Sequence, residues 1–277
     1  MKSNKLILIL LGVLLLVMIG LSFGDLDYVI SERLVNPHSV WAEIFNMFGE
    51  LPFTLGMLIF VTVLYGGHKR TSKIKTILLC VISYPFILLF SYLVVIMPIR
   101  YYFEFDGGIP NSMQIVASVL ALVLFISTLI LINKKDTEFF SQYKKASLIL
   151  GLLVITEVIL VNVLKMVWAR PRMRSISSIE QFKYWWEVNG FLNLEEFKSF
   201  PSGHTANAFA MIAGVEFISE EKETLKNKWL IFAFSWGILT AFSRVVLGAH
   251  FVSDVIFGGV VTITLFWIIS KAVKGKQ

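Results

Sequence analysis

Long apolar stretches separated by short polar clusters form the pattern along this 277-residue chain. An α-helix needs about 20 mostly apolar residues to cross the hydrocarbon core of a bilayer. Eight stretches approach that length: Leu6–Phe23, Leu51–Tyr65, Ile77–Met97, Met113–Ile132, Ala146–Val167, His204–Ile218, Leu230–Ser243 and Phe251–Ser270. The second, sixth and seventh are short. The pattern therefore predicts an all-α fold, a polytopic membrane helix bundle with six to eight transmembrane helices.

The composition agrees with a membrane protein. Charged residues make up 16% of the chain and hydrophobic residues 56%, whereas about a quarter of the residues in a soluble domain are charged. The net charge of +6 does not indicate nucleic acid, because the basic residues are spread over many short loops and form no stripe with aromatic residues. The single cysteine, Cys80, lies in an apolar run and is expected to be a buried, inert thiol.

Basic residues concentrate in alternate connections, as expected for the cytoplasmic loops of a membrane protein. They follow the second, fourth, sixth and last stretches and comprise Lys69, Arg70, Lys73, Lys75, Lys134, Lys135, Lys144, Lys145, Lys222, Lys226, Lys228, Lys271, Lys274 and Lys276. All fall on one side if the helices alternate from a cytoplasmic N-terminus. The connections then predicted to face outward are Asp25–Glu50, Ile99–Ser112, Trp168–Gly203 and Arg244–His250.

No repeat, low-complexity segment or linker divides the chain, so a single membrane-embedded domain over residues 1–277 is predicted. Residues 1–140 carry membrane helices without a motif, and residues 146–270 carry the catalytic helices. The mildly amphipathic segment Leu26–Phe48 fits an interfacial helix or a plain loop equally well.

The first apolar stretch also resembles a secretory signal peptide. Lys2 and Lys5 precede its apolar core, and Gly20 and Ser22 are suited to flank a cleavage site. Its length and the spans that follow favour a retained anchor.

The first polar cluster follows the fifth stretch. Pro171 is expected to end the helix near Arg170, which leaves Lys165 in the last turn. Arg170, Arg172 and Arg174 would then emerge at the level of the lipid headgroups, where guanidinium groups bind phosphate oxygens well. An ordinary interfacial basic patch has the same composition, but an outward patch runs against the charge bias of the other loops.

The second cluster is Pro201-Ser-Gly-His204, immediately before the sixth stretch. Ser202 is suited to cap the helix start, and free amide groups at such a start attract anions. Gly203 allows an anion to approach the backbone, and His204 lies beside it. A simple cap with an interfacial histidine is the alternative.

The third cluster joins the last two stretches and contains Ser243, Arg244, His250 and Asp254. His250 and Asp254 are four residues apart and share a helix face. A carboxylate at one imidazole nitrogen leaves the other nitrogen free to react. A pair that merely fastens the helix is the alternative, although an unpaired acid at the top of an apolar helix is costly and usually functional.

The three clusters together resemble the signature of the type-two phosphatidic acid phosphatase superfamily, the lipid phosphate phosphatases. Lys165 and Arg172 have the family's six-residue spacing, but Met173 stands where its proline is expected. This departure alters the shape of a loop and no charge, so activity is expected to remain. The second and third elements match fully, at Pro201–His204 and at Ser243, Arg244, His250 and Asp254.

These residues predict a metal-independent phosphatase without a cofactor. His250 would attack phosphorus and form a phosphohistidine, with Asp254 holding its ring, and protonated His204 would donate to the leaving oxygen. The predicted phosphate ligands are Lys165, Arg172, Ser202, Gly203 and Arg244, with Arg170 and Ser243 as accessory candidates. Inside the spans, Glu157 and Glu216 are expected to pair with polar groups of the bundle, and contact with substrate is the alternative.

The predicted partners are a membrane lipid phosphate and the bilayer, with no nucleic acid and no obligate protein partner. The resemblance implies undecaprenyl pyrophosphate, phosphatidylglycerophosphate or phosphatidic acid as substrates, and the first is favoured because that carrier is released at the outward face of the cytoplasmic membrane. A lipid phosphotransferase and a phosphate-binding transporter are the alternatives.

Overall fold

The protein is a bundle of α-helices in a computed structural model that describes residues 2–69, 72–103 and 108–275. No β-strand occurs in these three ranges. Arg70 and Lys276 of the predicted basic clusters, and residues 104–107 of a predicted outward connection, lie outside the described residues.

The helices are α1 Lys2–Gly20, α2 Leu26–Leu34, α3 Val40–Phe48, α4 Leu51–Gly66, α5 Lys73–Tyr102, α6 Asn111–Lys134, α7 Thr137–Ser141, α8 Lys144–Trp168, α9 Gly203–Phe209, α10 Glu223–Val246 and α11 Val252–Lys274. A 3₁₀ segment, Ala210–Phe217, continues α9, and three short 3₁₀ turns lie in the connection between α8 and α9.

Among the described residues, six helical segments are long and apolar enough to cross a membrane: Val40–Gly66, Lys73–Tyr102, Asn111–Lys134, Lys144–Ser175, Glu223–Val246 and Val252–Lys274. Helix α6 exposes a wide apolar surface that includes Ile115, Val119, Val123, Ile126 and Ile130. A soluble protein rarely leaves so large a patch uncovered, whereas lipid tails cover it in a bilayer. The predicted polytopic membrane bundle is confirmed.

The predicted sixth span is shorter than these six segments. Residues 203–217 consist of seven α-helical residues followed by a 3₁₀ segment, and α9 is buried along its whole length apart from Gly203. Because this segment is surrounded by protein, it supplies residues to the interior of the bundle. The segment that was predicted as an interfacial helix or a loop forms α2 and α3.

One apolar core connects the two halves of the chain. Met57 of α4, Ile87 of α5, Leu153 of α8, Phe209 of α9 and Ile263 of α11 belong to the same buried cluster. The helices without a motif therefore pack directly on the helices that carry the polar clusters.

The polar clusters lie at one end of the bundle because of how the helices alternate. Lys165 and Arg244 lie in the last turns of α8 and α10, and His204 lies in the first turn of α9. A tight turn joins α10 to α11, and Gly248 adopts a φ of 65° in it, a conformation that glycine adopts without steric cost. The basic connections at the opposite helix ends are thus far from these residues.

Candidate active site

A cavity of about 360 Å³ opens at this end of the bundle. It is lined by both motif histidines together with basic, acidic and amide side chains. Its titratable lining residues are Glu50, Arg100, Tyr101, Glu157, Lys165, Arg172, Glu195, Lys198, His204, Arg244 and His250. A larger cavity of about 670 Å³ lies beneath the connection between α8 and α9 and contains neither histidine.

Lys165 and Arg172 reach the cavity from either side of the predicted helix end. Helix α8 stops at Trp168, and Ala169 takes a left-handed conformation with a φ of 44°. The Lys165 ammonium donates to the Lys198 carbonyl over 3.0 Å. Arg172 Nε donates to the Glu195 carbonyl over 2.8 Å, and its guanidinium lies 3.6 Å from the Glu195 carboxylate. These contacts direct two cations toward one space.

Glu195 was not identified from the sequence. Its carboxylate accepts a 2.6 Å hydrogen bond from Lys198, and this bond and the positive charges nearby lower its pKa. Because Glu195 is exposed, it can leave Arg172 for water when an anion arrives.

The Pro-Ser-Gly-His segment forms the start of α9 as predicted. Ser202 is the N-cap residue, and its hydroxyl oxygen accepts hydrogen bonds from the Thr205 amide over 3.4 Å and from the Thr205 hydroxyl over 3.0 Å. Ser202 is fully buried behind the cavity wall, whereas Gly203 and His204 line the cavity. A direct contact of the Ser202 hydroxyl with phosphate stays a prediction.

His250 and Asp254 lie on one side of the cavity, with the carboxylate behind the imidazole. His250 Nδ1 lies 3.6 Å from Asp254 Oδ2. The carboxylate also accepts hydrogen bonds from the Ser199 hydroxyl over 2.5 Å and from the Phe251 amide over 2.9 Å. These bonds hold Asp254 in place and leave His250 Nε2 as the nitrogen directed away from it.

Burial lowers the pKa of His250 well below its ordinary value, and Lys165, Arg172 and Arg244 lower it further by charge repulsion. His250 lies between α10 and α11, outside the long apolar helices. Its imidazole is therefore neutral near pH 7, the form that a nucleophile requires.

The prediction that Arg170 emerges at the headgroup level is wrong. Its side chain is completely buried, and its guanidinium bonds Asp254 over 2.5 Å on one side and Asp27 over 2.9 Å on the other. It also lies over the rings of Phe182 and Phe251, at 5.2 and 4.3 Å from their centroids. A guanidinium with two buried carboxylates is held in the interior, so Arg170 positions Asp254 and does not reach the cavity.

Arg244 and Ser243 have different roles although they are adjacent. Arg244 lines the cavity from the last turn of α10, and its guanidinium donates a hydrogen bond to the Asn46 side chain of α3. Ser243 is buried and donates to the Thr240 carbonyl over 2.7 Å, a local bond within the helix.

Three polar cavity residues from the N-terminal half were not identified from the sequence. Glu50 Oε1 lies 3.6 Å from His204 Nδ1, and Arg100 and Tyr101 line the cavity from the last turn of α5. The rings of Tyr101 and His204 pack edge to face with centroids 4.6 Å apart. The only sequence signal was that all three residues lie in connections predicted to face outward.

His204 is buried on this side of the cavity, and its Nε2 atom has no hydrogen-bond partner. Burial lowers its pKa well below the ordinary value, with further lowering by Arg244, His250, Lys165 and Arg172. An anion that neutralises these cations removes that part of the shift.

The two acids predicted to pair inside the bundle behave differently. Glu216 accepts a 2.9 Å hydrogen bond from Ser270 and lies 2.6 Å from the Lys274 ammonium, so its predicted pairing is confirmed. For Glu157 the prediction is wrong, because both oxygens of this buried side chain lack a hydrogen-bond partner and the residue lines the cavity.

Within residues 2–69, 72–103 and 108–275, no group of three or more histidine, cysteine, aspartate or glutamate side chains is arranged to hold a metal ion.

The C-terminal helices match a known protein family. No curated protein and no solved structure matches the chain. The family model of the PAP2 superfamily matches residues 146–277, a segment that begins in α8 and contains all three polar clusters. The resemblance predicted from the three polar clusters is therefore confirmed over these residues.

Proposed function

We propose that this protein is an integral membrane phosphatase that hydrolyses a lipid phosphate or pyrophosphate through a phosphohistidine intermediate. The match of residues 146–277 to the PAP2 superfamily supports phosphatase activity on lipid phosphates. The observation that carries the proposal is the convergence of His204, His250, Lys165, Arg172 and Arg244 on one cavity.

The cavity is suited to hold a phosphate group. Phosphoryl transfer depends mainly on positioning the group and stabilising its charge. Lys165, Arg172 and Arg244 supply three cationic side chains, and the Gly203 amide, with the neighbouring Ser202 hydroxyl, completes the proposed set. This set neutralises the phosphate oxygens with protein groups alone.

In the first half-reaction, neutral His250 attacks phosphorus through Nε2. The bond from phosphorus to the leaving oxygen breaks, and that oxygen takes a proton from Nε2 of His204. Asp254 stabilises the positive charge that develops on the His250 ring. The products are a phosphohistidine and a lipid alcohol, or a lipid monophosphate when the substrate is a pyrophosphate.

In the second half-reaction, a water molecule attacks the phosphohistidine. His204 Nε2, now unprotonated, takes a proton from this water while the bond between phosphorus and nitrogen breaks. Inorganic phosphate leaves, and both histidines return to their starting protonation states. One histidine therefore serves as acid and then as base.

Undecaprenyl pyrophosphate at the outward face of the cytoplasmic membrane is the proposed substrate. The basic connections lie at the end of the bundle opposite the cavity, which supports an outward cavity by the positive-inside rule. A glycerolipid phosphate such as phosphatidylglycerophosphate or phosphatidic acid is the competing substrate, since the same cavity accepts any accessible terminal phosphate.

Two other functions use the same phosphate site. A phosphotransferase would share the first half-reaction and pass the phosphoryl group to an acceptor other than water. A transporter would need a polar path across the bundle, whereas the titratable residues of the cavity gather near one end.

The test is phosphate release by the purified protein in detergent, with undecaprenyl pyrophosphate, phosphatidylglycerophosphate and phosphatidic acid assayed in parallel. We expect His204→Ala and His250→Ala to lower turnover by at least about a hundredfold, as for loss of an acid–base or nucleophilic group. The control is Glu43→Gln, since Glu43 is exposed on α3 and does not line the cavity. Near-normal turnover by His250→Ala would exclude the proposed nucleophile.

A label from the substrate phosphate identifies the intermediate. Rapid quenching should trap an acid-labile protein phosphate in the unsubstituted protein and none in His250→Ala. Label transfer to an added alcohol in preference to water would favour the phosphotransferase.

A further inference from the structure

Each of the two histidines has a carboxylate beside its Nδ1 atom. Asp254 Oδ2 lies 3.6 Å from His250 Nδ1, and Glu50 Oε1 lies 3.6 Å from His204 Nδ1. The first pair is four residues apart within one motif. Glu50, in contrast, lies between α3 and α4, outside the segment 146–277 that matches the family.

The surroundings of Glu50 keep its carboxyl group directed at His204. The Tyr101 phenol lies beside the Glu50 carboxyl, and the Tyr101 ring packs against the His204 ring. Gly49 makes this approach possible, because a Cβ atom there would lie 3.1 Å from His204 Cδ2. Three neighbouring groups thus define the position of one imidazole.

We propose that Glu50 is the positioning residue of His204, and that it holds the proton on Nδ1 so that Nε2 first gives and then takes the catalytic proton. The proposal rests on the function proposed above. It adds a residue of the N-terminal half to the acid–base machinery.

The proton movements explain why a carboxylate is needed at this position. Protonated His204 donates Nδ1–H to Glu50 and presents Nε2–H to the leaving oxygen. After the Nε2 proton leaves, the bond to Glu50 keeps the remaining proton on Nδ1, so Nε2 carries the lone pair that accepts a proton from water. Without this bond, a neutral ring is free to carry its proton on Nε2, which then has no lone pair to accept a proton from water.

The distance of 3.6 Å is longer than a hydrogen bond. Catalytic contacts of this kind tighten when substrate binds. A bound phosphate would neutralise the surrounding cations and favour protonation of His204, and the charge on His204 would then attract Glu50.

The charges around His204 oppose each other. Burial lowers the pKa of His204, and Arg244, His250, Lys165 and Arg172 lower it further. The Glu50 carboxylate lies 3.6 Å from the His204 ring and has the opposite charge. Removing the negative charge of Glu50 should therefore make protonated His204 harder to form, and the alkaline limb of the pH profile should move to lower pH.

The test compares two leaving groups. An alkyl lipid phosphate needs a proton on its leaving oxygen, whereas p-nitrophenyl phosphate releases nitrophenolate without one. For Glu50→Leu, we expect kcat/KM on the lipid phosphate to fall about 10- to 100-fold, as for other residues that orient a functional imidazole. The burst of nitrophenol that reports phosphorylation of His250 should fall less than about threefold.

Further variants separate charge from hydrogen bonding. Glu50→Gln keeps an acceptor oxygen and removes the charge, so it should retain more activity than Glu50→Leu and show the shifted alkaline limb. Tyr101→Phe leaves Glu50 in place and should cause a smaller loss in the same direction, which provides a test should the Glu50 variants fail to fold. Glu43→Gln is the matched acidic control.

Several results would overturn the proposal. Equal losses on both substrates would show that Glu50 supports the fold or binds phosphate. An unshifted alkaline limb in Glu50→Gln would show that the charge of Glu50 does not act on His204. Unchanged activity in Tyr101→Phe would show that Tyr101 does not orient Glu50. Failure of the function itself is distinguishable, because the unsubstituted protein would then release no phosphate and form no phosphohistidine.

Discussion

Arg170 Nη1 lies 2.5 Å from Asp254 Oδ1, and both side chains are completely buried. The same guanidinium bonds Asp27 of α2, and Ser253 bonds both Arg170 and Asp27. The carboxylate behind the proposed nucleophile is thereby connected to a helix of the N-terminal half. The position of Asp254 depends on contacts between distant parts of the chain.

This relationship predicts opposite behaviour for two neighbouring arginines. Arg170→Gln leaves Asp27 and Asp254 without their common cation, and loss of one partner of a buried ion pair costs about 3–5 kcal/mol. Arg172→Gln removes a pair with the exposed Glu195, which is worth about 0–1 kcal/mol. We therefore expect a strongly lowered Tm in detergent only for Arg170→Gln, and a raised KM for Arg172→Gln. The reverse pattern would contradict the buried position of Arg170.

The pH dependence of phosphorylation should reflect the environment of His250. The imidazole attacks only when neutral, a form that predominates above its pKa. Burial and the three cations lower that pKa well below 6.5. The midpoint of the acidic limb in the pH profile of phosphorylation should therefore lie below pH 6.5.

The measurement uses the nitrophenol burst of His204→Ala, so that His204 does not contribute to the profile. The pKa of the second ionisation of the substrate phosphate is determined separately by phosphorus NMR. Its contribution is then removed from the pH profile of the burst rate. A limb at or above pH 6.5 would mean that His250 is better solvated than its burial indicates.

Gly258 is expected to be needed for the close approach of α11 to the start of α9. A Cβ atom at this position would lie 2.6 Å from the Ser202 carbonyl oxygen, so Gly258→Ala must move the Pro-Ser-Gly-His segment. We expect a loss of stability of about 1–3 kcal/mol, typical of overpacking, with reduced turnover. Gly12→Ala is the control, since no atom lies within 4 Å of its Cβ position. Equal Tm values for the two variants would show that the helices separate easily.

Glu157 is expected to decrease stability in the absence of substrate. Its buried carboxyl oxygens have no partner, and a buried acceptor left unsatisfied costs about 1–3 kcal/mol. Glu157→Leu should therefore raise the Tm in detergent. A lower Tm would mean that Glu157 stabilises the bundle through a contact such as bound water.

Metal removal should leave activity unchanged. Lys165, Arg172 and Arg244 supply the charge that stabilises the phosphate in the proposed reaction. Prolonged incubation with EDTA, followed by assay in metal-free buffer, should give the original turnover. Activity that is lost and then restored by a divalent ion would contradict the reaction as written.

Features set by short-range spacing were predictable from the sequence. Helix length follows from the apolar stretches, the end of α8 follows from Pro171, and the cap at Ser202 follows from the residues around it. His250 lies in the turn before α11 and not on the helix as predicted, but the spacing of four residues still brings Asp254, in the first turn of α11, to its Nδ1 atom. Each of these features depends on backbone geometry over one or two turns, which neighbouring residues determine.

Contacts between distant residues were decided only by the tertiary structure. Arg170 and Arg172 are two residues apart and chemically alike, yet packing places one between Asp27 and Asp254 and the other in the cavity. Glu50 reaches His204 because α4 packs against α9. The membrane helices and the three local clusters that point to phosphate chemistry were predictable from the amino-acid pattern alone. The packing of the helices decided which charges are buried together, because the free energy of a buried charge depends on partners that are far away in the chain.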